Sequence, residues 1–313
     1  MNCIACGSPQ FRPRFTGSDR LYHTTGKAFT VVECASCGLL RLDPPPAPSE
    51  LPAYYPDNYW FAPEESAAGR LEEAWRRLVL RDHVHFVTEA LRAIPAGLLL
   101  DIGCGGGLFL GMMRQAGFLG FGLDFSREAA AVAWRQQGVA VICGSLEQNP
   151  VAPSSCAAVT MFHVLEHLPD PAAYLAAAHR ILRPDGRLIV QVPNAACWQF
   201  RLLGERWNGI DIPRHLVDFR ERDLARLLER CGFTIVRRKH FSLRDNPAGL
   251  ASSLAPSLDP MARRIRGGQE SGAGRTARNL LYLALLLASL PFTALEAAAG
   301  AGSTIMFEAR RRS

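Results

Sequence analysis

At 313 residues, 48% of them apolar and 20% charged, the chain can bury one large core or two ordinary ones, which excludes a disordered protein. The net charge is +6, carried almost wholly by arginine, since only Lys27 and Lys239 are lysines. No block of five or more basic residues occurs, so charge alone gives no reason to expect nucleic acid. The opening "MNCIACGSPQF" has neither a basic nor an apolar stretch, so no secretory signal is expected. The nine cysteines are therefore expected as metal ligands or buried thiols of a cytoplasmic protein, not as a disulfide scaffold.

In chain order, the first elements are two knuckles, Cys3-x-x-Cys6-Gly7 and Cys34-x-x-Cys37-Gly38. Each turns two thiolates towards one point, and "AFTVVEC" reads as a strand entering the second. Four thiolates around Zn2+ leave no open position, so a structural zinc ribbon is expected over 1–43. The ion stands in for a core that so short a segment cannot build. "LDPPPAPSELP" is too rich in proline for a helix or central strand and reads as a stiff linker, within 44–69. The aromatic run "AYYPDNYWF" either caps a pocket or, as the preferred reading, packs against the main domain. "LEEAWRRLVLRDHVHFVTEAL", 71–91, has the apolar spacing of a helix.

From residue 96 short apolar runs alternate with helical stretches. "GLLLDIG", "GFGLD", "VAVICG", "AAVTMF" and "GRLIVQVP" read as strands; "LFLGMMRQAG", "REAAAVAWRQQG" and "PAAYLAAAHRILRPDG" read as helices. That rhythm predicts an α/β domain over 70–248, a parallel sheet with crossover helices on both faces. "RDLARLLERCG" adds a helix and "FTIVRRKHF" a strand. An arginine-rich and apolar insertion, 249–300, precedes a last strand, "STIMFEAR", in 301–313.

"LLLDIGCGGGLFL" is a strand, a glycine turn and a helix start. A dinucleotide fingerprint needs a third glycine at position 108, which is leucine, so that template fits poorly. Instead Asp101 stands two places before Gly103, with Gly105 and Gly107 following, and the next strand ends in Asp124. A carboxylate there can hydrogen-bond both hydroxyls of a ribose.

The order D-x-G-x-G-x-G followed by an acid ending the second strand resembles the class I S-adenosylmethionine-dependent methyltransferases. "GFGLDFS", "HVLEHLPDP", "ILRPDGRLIVQVPN" and "DIPRHLVDFRERDLARLLERCGF" are similar to later motifs of that family, so the resemblance covers most of 70–240. It implies a doubly wound, mostly parallel seven-stranded sheet, Rossmann-like, and S-adenosylmethionine as cofactor. It also implies that Asp101, Gly103, Gly105 and Gly107 approach the methionine portion and Asp124 the ribose, with Phe125 on the adenine. His163 borders the same pocket. "CGSLEQ" borders the adenine, with Ser145 where many relatives carry aspartate, and Leu146 offers an amide and an apolar wall.

"FHVLEHLPD" follows the fourth strand, where an open α/β sheet places its chemistry. Three readings stand for His163, Glu166 and His167, joined by His215 of "PRHL": an acid/base or substrate-orienting role, a divalent cation site, or the polar start of a helix. The first is preferred. Some relatives, in quinone biosynthesis and small-RNA methylation, bind a divalent cation with E-x-x-E-H plus a distant histidine. With His163 replacing the first glutamate, the set has three imidazoles and one carboxylate, which suits zinc or iron better than magnesium.

"NLLYLALLLASLPFTAL", 279–295, carries no charge and follows Arg263, Arg264, Arg266, Arg275 and Arg278. With Pro291 inside it, it reads as an interfacial or re-entrant helical hairpin on the inner face of a plasma membrane; a buried or dimer-forming helix, and thus a homodimer, is the competing reading. The expected function is methyl transfer to a small molecule: a sugar, a lipid-linked envelope intermediate or a quinone precursor. The alternative is an RNA methyltransferase (ribosomal RNA base) that uses its zinc ribbon to hold RNA. That reading needs a basic groove between ribbon and domain, for which Arg12, Arg14, Arg20 and Lys27 are the sequence hints.

Overall fold

The computed structural model describes residues 2–56, 67–148, 150–267 and 272–312. The second half of the aromatic run, from residue 57, lies outside them. The ribbon is an antiparallel meander of β1 (Phe11–Gly17), β2 (Phe29–Cys34) and β3 (Leu40–Leu42). Alternation along β2 and β3 buries Phe29, Val31, Leu40 and Leu42, and these belong to the main hydrophobic core of the whole chain.

The helix expected at 71–91 is α1 (Ala67–Arg92). Then β4 (Leu98–Ile102), α2 (Leu108–Gln115), β5 (Gly120–Asp124), α3 (Arg127–Val132) and β6 (Val141–Cys143) alternate. β7 (Cys156–Phe162), α4 (Pro171–Ile181), β8 (Leu182–Pro193) and α5 (Trp198–Leu203) follow. Next come β9 (Val217–Asp218), α6 (Glu221–Arg230), β10 (Phe233–Lys239), α7 (Asn246–Leu254), α8 (Pro260–Ile265), α9 (Gly272–Ala298) and β11 (Thr304–Arg311). The main sheet has seven strands in the order β10-β11-β8-β7-β4-β5-β6, with β11 antiparallel to both neighbours and the rest parallel. This is the doubly wound sheet that the alternation predicts. β7 is apolar and buried over six consecutive residues, as a central strand covered on both faces must be.

Local chemistry sets the boundaries. Ser126 caps α3 by accepting the Ala129 amide, and Asp170 caps α4 by accepting that of Ala173, with Pro171 in the first turn. The "LPD" of the histidine segment is therefore a helix start. The helix expected to run on through "RPDG" stops at Ile181, because Pro184 disfavours helical backbone at Arg183, and those residues open β8 instead.

β9 pairs with β3, so the ribbon's four-stranded sheet takes its last strand from the methyltransferase-like core. Arg214 clamps the same seam. Its buried guanidinium makes bidentate bonds to Asp19 of the ribbon, at 2.9 and 3.0 Å, and bonds to Asp211 at 2.6 and 2.8 Å. It also reaches the carbonyl of Tyr54 and lies over the ring of Tyr22. The apolar insertion is one continuous helix, α9, not the hairpin expected from Pro291. Pro291 and Leu287 both lie on its exposed side, so the carbonyl that proline leaves without a donor can turn to solvent.

Candidate active site

The carboxyl ends of β4, β5 and β7 converge, and the chain between them supplies the site. Gly103, Gly105 and Gly107 take positive φ, at 71°, 51° and 72°, backbone that other residues rarely adopt. A Cβ at 103 would strike Val164 and one at 107 Ala133, so the turn is wedged into its neighbours. A Cβ at 105 would meet nothing within 4 Å, so this glycine borders open space in front of α2.

Asp124, the last residue of β5, closes the turn by accepting the amides of Gly105 (2.8 Å) and Ser126 (2.9 Å). Burial raises its pKa while those amides oppose the rise. Its remaining lone pairs can take two hydroxyl donors. Asp101 sits behind the turn, buried, accepting the Thr160 hydroxyl at 2.6 Å. Burial lifts its pKa to about 7 against that bond, with the charge of Asp124 adding to the rise. A buried acid with a raised pKa loses stability as pH climbs from its unfolded value near 4 through its folded one. Asp101→Asn, which keeps the acceptor for Thr160, is therefore expected to melt above the parent at about pH 8, with the gap closing at about pH 4. A gap that ignores pH would show that the buried charge is not its source.

Where the sequence places the adenine as an expectation, Phe125 is 65% exposed and meets the ring of Tyr55 edge-on at 6.1 Å. The Ser145 hydroxyl lies 2.7 Å from that of Tyr174. Leu146 does not wall a pocket: the short turn Leu146–Gln148 drives its side chain into the main core, where it is fully buried.

After β7, His163 turns the chain with φ 56° into a single 3-10 turn, Leu165–His167. The turn splits the polar side chains into two groups instead of one helical face. His163 lies 3.1 Å from Glu166 Oε1, 3.0 Å from Gln191 Nε2 and 3.5 Å from Asp245 Oδ1. Burial opposes its charge, but Asp245 and then Glu166 outweigh burial and raise its pKa to about 9. The two carboxylates favour a proton on the ring, whereas the Gln191 amide beside Nε2 favours an acceptor there, so the contacts at Nδ1 and Nε2 both orient the imidazole. Asp245, which the sequence reading missed, also accepts Gln191 and Ser242, each at 2.6 Å.

The second group is Glu166, His167 and His215, whose ligating atoms lie within 4.8 Å of one another. His163 is not among them, which corrects the four-residue set expected from sequence. His167 Nδ1 faces the Arg214 carbonyl at 3.0 Å and His215 Nδ1 the Gly209 carbonyl at 2.9 Å. Donation to the Arg214 carbonyl leaves the His167 Nε2 lone pair available; at His215 the Gly209 carbonyl favours the same tautomer, while the Asp211 amide, 3.4 Å from Nδ1, competes for that nitrogen. Burial and then the neighbouring His215 push the pKa of His167 down to about 4, so it is neutral. Glu166 Oε2 is buried with no hydrogen-bond partner among the described residues. Tyr55, also missed, places its hydroxyl 3.0 Å from His167 Nδ1, while Tyr54 packs edge-on against Phe29. Of the aromatic run, only the part up to Pro56 is described, and there Tyr54 packs into the common core while Tyr55 contacts His167.

In the ribbon, Cys3 Sγ and Cys37 Sγ are 3.5 Å apart, Cys6 Sγ and Cys34 Sγ 3.6 Å, and all four lie within 4.8 Å of one another. At Cys34 burial resists ionisation, but the amides of Cys37 and Ser36 prevail and pull the pKa to about 6. At Cys37 burial prevails over the amide of Leu39 and pushes the thiol up, while its carbonyl accepts Arg220 and, at 2.8 Å, Arg222.

A family model described as a methyltransferase domain matches residues 67–238. The ubiquinone biosynthesis O-methyltransferase of Pseudomonas aeruginosa (strain LESB58) is 34% identical over 131 residues, 39% of this chain and 56% of that protein. The one from Pectobacterium carotovorum is 28% identical over 184 residues, 56% of this chain and 77% of that one. The chain thus spans about half the length of the first of these curated relatives. Among solved structures, the 1,6-didemethyltoxoflavin-N1-methyltransferase of Burkholderia thailandensis, with S-adenosylhomocysteine bound, superposes with a TM-score of 0.50. It covers 96% of this chain and 99% of its own at 16% identity, a likeness of fold. The family match spans α1 to β10, including every residue of the glycine turn and the histidine segment. The chain belongs to the methyltransferase domain family.

Proposed function

We propose that this protein transfers a methyl group from S-adenosylmethionine to a hydroxyl oxygen of a small-molecule acceptor, in the cytoplasm, with a divalent cation beside the acceptor and a structural Zn2+ in the ribbon. The observation that carries the reading is one juxtaposition. Val164, which packs on Gly103 of the glycine turn, opens the turn that carries Glu166 and His167, accepting the His167 amide at 3.0 Å, and those two side chains cluster with His215. The O-methyltransferase activity of the curated relatives in ubiquinone biosynthesis supports oxygen as the acceptor atom and a quinone precursor as one acceptor class. A sugar or lipid-linked intermediate remains within the same reading.

S-adenosylmethionine, when bound, supplies an electrophilic methyl on a sulfonium, so alignment of the acceptor provides much of the rate. Gly105 leaves room for the methionine portion, and Asp124 offers acceptors to the ribose. The buried, unpartnered oxygen of Glu166 and the two imidazole nitrogens fit a cation, and two nitrogens with one oxygen suit zinc, iron or manganese better than magnesium. Such an ion, when bound, would lower the pKa of the acceptor hydroxyl. His163 Nδ1 holds Glu166 through Oε1 and leaves Oε2 directed elsewhere. The Tyr55 ring links the two parts of the site, edge-on to both Phe125 and His167. In the ribbon, sulfur separations of 3.5–3.6 Å are close to the edge of a tetrahedron with Zn–S bonds of about 2.3 Å.

Glu166→Gln keeps the bond to His163 and is expected to lose roughly 100-fold in turnover. Metal analysis should find one divalent ion per chain fewer than in the parent, while S-adenosylmethionine binding is unchanged. A variant with full turnover and parental metal content would remove the cation from the mechanism.

A further inference from the structure

The seam between ribbon and core holds a groove of about 900 Å3 that the methyl-transfer reading does not use. Five guanidinium groups line it: Arg14 from β1, Arg201 from α5, Arg220 and Arg222 at the start of α6, and Arg238 at the end of β10. Arg220 is paired with Asp223 and Arg238 with Glu221, the one acid in the lining. The other three have no acidic partner among the described residues; Arg222 bonds only a carbonyl, that of Cys37. Arg14 is placed by a β-bulge. Pro13 pairs with Val32 and Phe15 with Val31, so Arg14 is the extra residue whose side chain the bulge re-aims. Phe15 and Phe200 lie among the arginines, and the rest of the floor is Ala195, Ala196 and Ala225.

We propose that this groove binds a nucleoside diphosphate or a molecule carrying one. Three unpaired guanidinium groups match a diphosphate, whose charge is on the order of −3. The two phenyl rings offer faces to a base. Binding here is independent of methyl transfer and can be measured without S-adenosylmethionine. Titration calorimetry of the full, zinc-loaded chain with uridine diphosphate should show a saturable site that weakens with salt. Arg14→Glu combined with Arg201→Glu, both exposed, should lower the affinity at least tenfold with an unchanged melting temperature. No binding, or binding indifferent to both changes, overturns the proposal. Inorganic pyrophosphate binding as tightly as uridine diphosphate removes the nucleoside from it. A single-stranded RNA oligonucleotide that binds more tightly, and competes, replaces it with the RNA reading. Cofactor binding monitored in parallel keeps failure here distinct from failure of the methyltransferase site.

A second inference rests on α9. The helix has 27 residues and is long and apolar enough, by length and composition, to cross a bilayer. One face, with Leu286, Ser289, Thr293 and Glu296, is buried on the core, and Glu296 holds Gln199 at 2.8 and 2.9 Å. The opposite face is not polar: Leu280, Leu281, Leu283, Leu287 and Leu295 are 40–62% exposed. No acid occurs from Gly272 to Leu295, whereas Arg275 and Arg278 stand in the first turns and Arg263, Arg264 and Arg266 precede them. A helix fixed to its own protein along one face can lie on a bilayer but not cross it. We infer that α9 seats the protein on an anionic lipid surface, leucines in the interface and arginines at the headgroups. The chain should sediment with vesicles containing phosphatidylglycerol and far less with phosphatidylcholine alone. Leu281→Glu with Leu287→Glu should abolish sedimentation and leave cofactor binding intact. Sedimentation that survives both changes overturns the inference. So does a leucine-dependent dimer, seen by light scattering, that hides the face from vesicles.

Discussion

Arg214→Met is expected to destabilise the protein by about 3–5 kcal/mol, the cost of leaving a buried charge without its partner. Asp19, 3% exposed, and Asp211 each contribute two oxygens to this guanidinium, and both would lose them at once. The pH dependence should identify the cause. Burial alone would raise the pKa of Asp19, but Arg214 and then Thr24 reverse that and hold it at about 2. A folded pKa below the unfolded value means stability that is complete above about pH 4 and lost as pH falls towards 2. In the methionine variant the arginine's contribution is gone and burial dominates, so acid should stabilise it relative to neutral pH. Thermal melts of both proteins from about pH 3 to pH 7 would show slopes of opposite sign. Parallel slopes would mean that the clamp contributes little.

Arg214→Lys should recover little of the loss, because an ammonium cannot make bidentate bonds to two carboxylates. The damage should also reach the site. Arg214 supplies the carbonyl that faces His167 Nδ1 and precedes His215 in the chain. A loop released from Asp19 would therefore loosen two of the three side chains proposed to hold the cation. The expected signature is a lost metal ion with retained S-adenosylmethionine binding, since Asp124 and the glycine turn are held by each other's bonds and not by Arg214.

The seven-stranded sheet was legible because each strand is a short apolar run bounded by turn residues, and because the glycine turn names its own backbone conformation. The four cysteines were legible for a similar reason: their spacing is local. What was hidden depends on contacts between distant segments. Asp245 reaches His163 across 82 positions, and nothing in "SLRDNP" marks that acid. The positive φ of His163 removes it from the ligand set that an i, i+3, i+4 helical spacing suggests. Leu146 reads as a pocket wall only if its turn faces outward, and burial decides otherwise. Pro291 predicts a break in α9, yet proline on an exposed helix face costs less than proline whose orphaned carbonyl is buried. The basic groove was half visible, in Arg14, because its other four arginines come from residues 201 to 238.

Removing the zinc proposed for the ribbon should have the largest effect of all, because binding of a structural Zn2+ by four thiolates is worth roughly 10–16 kcal/mol at neutral pH. Cys34→Ser removes one ligand. The knuckle amides that favour its thiolate then face a hydroxyl, and the remaining sulfurs have no ion to bring them together. β1, β2 and β3 contribute apolar side chains to the common core, so the loss should not stay at the N-terminus. β9 pairs with β3, and Leu216, just before β9, donates its amide to the Glu166 carbonyl at 2.7 Å. Unfolding of the ribbon should therefore travel along β9 to the turn that carries Glu166 and His167. Hydrogen exchange is expected to show lost protection in β1–β3 and in 214–218, with the parallel strands β4, β5 and β7 still protected. Zinc released on denaturation should fall from one ion per chain in the ribbon to none. A Cys34→Ser protein that keeps ribbon protection without zinc would place the ribbon's stability in its packing on the core, and the four-cysteine cluster would then be a set of buried thiols.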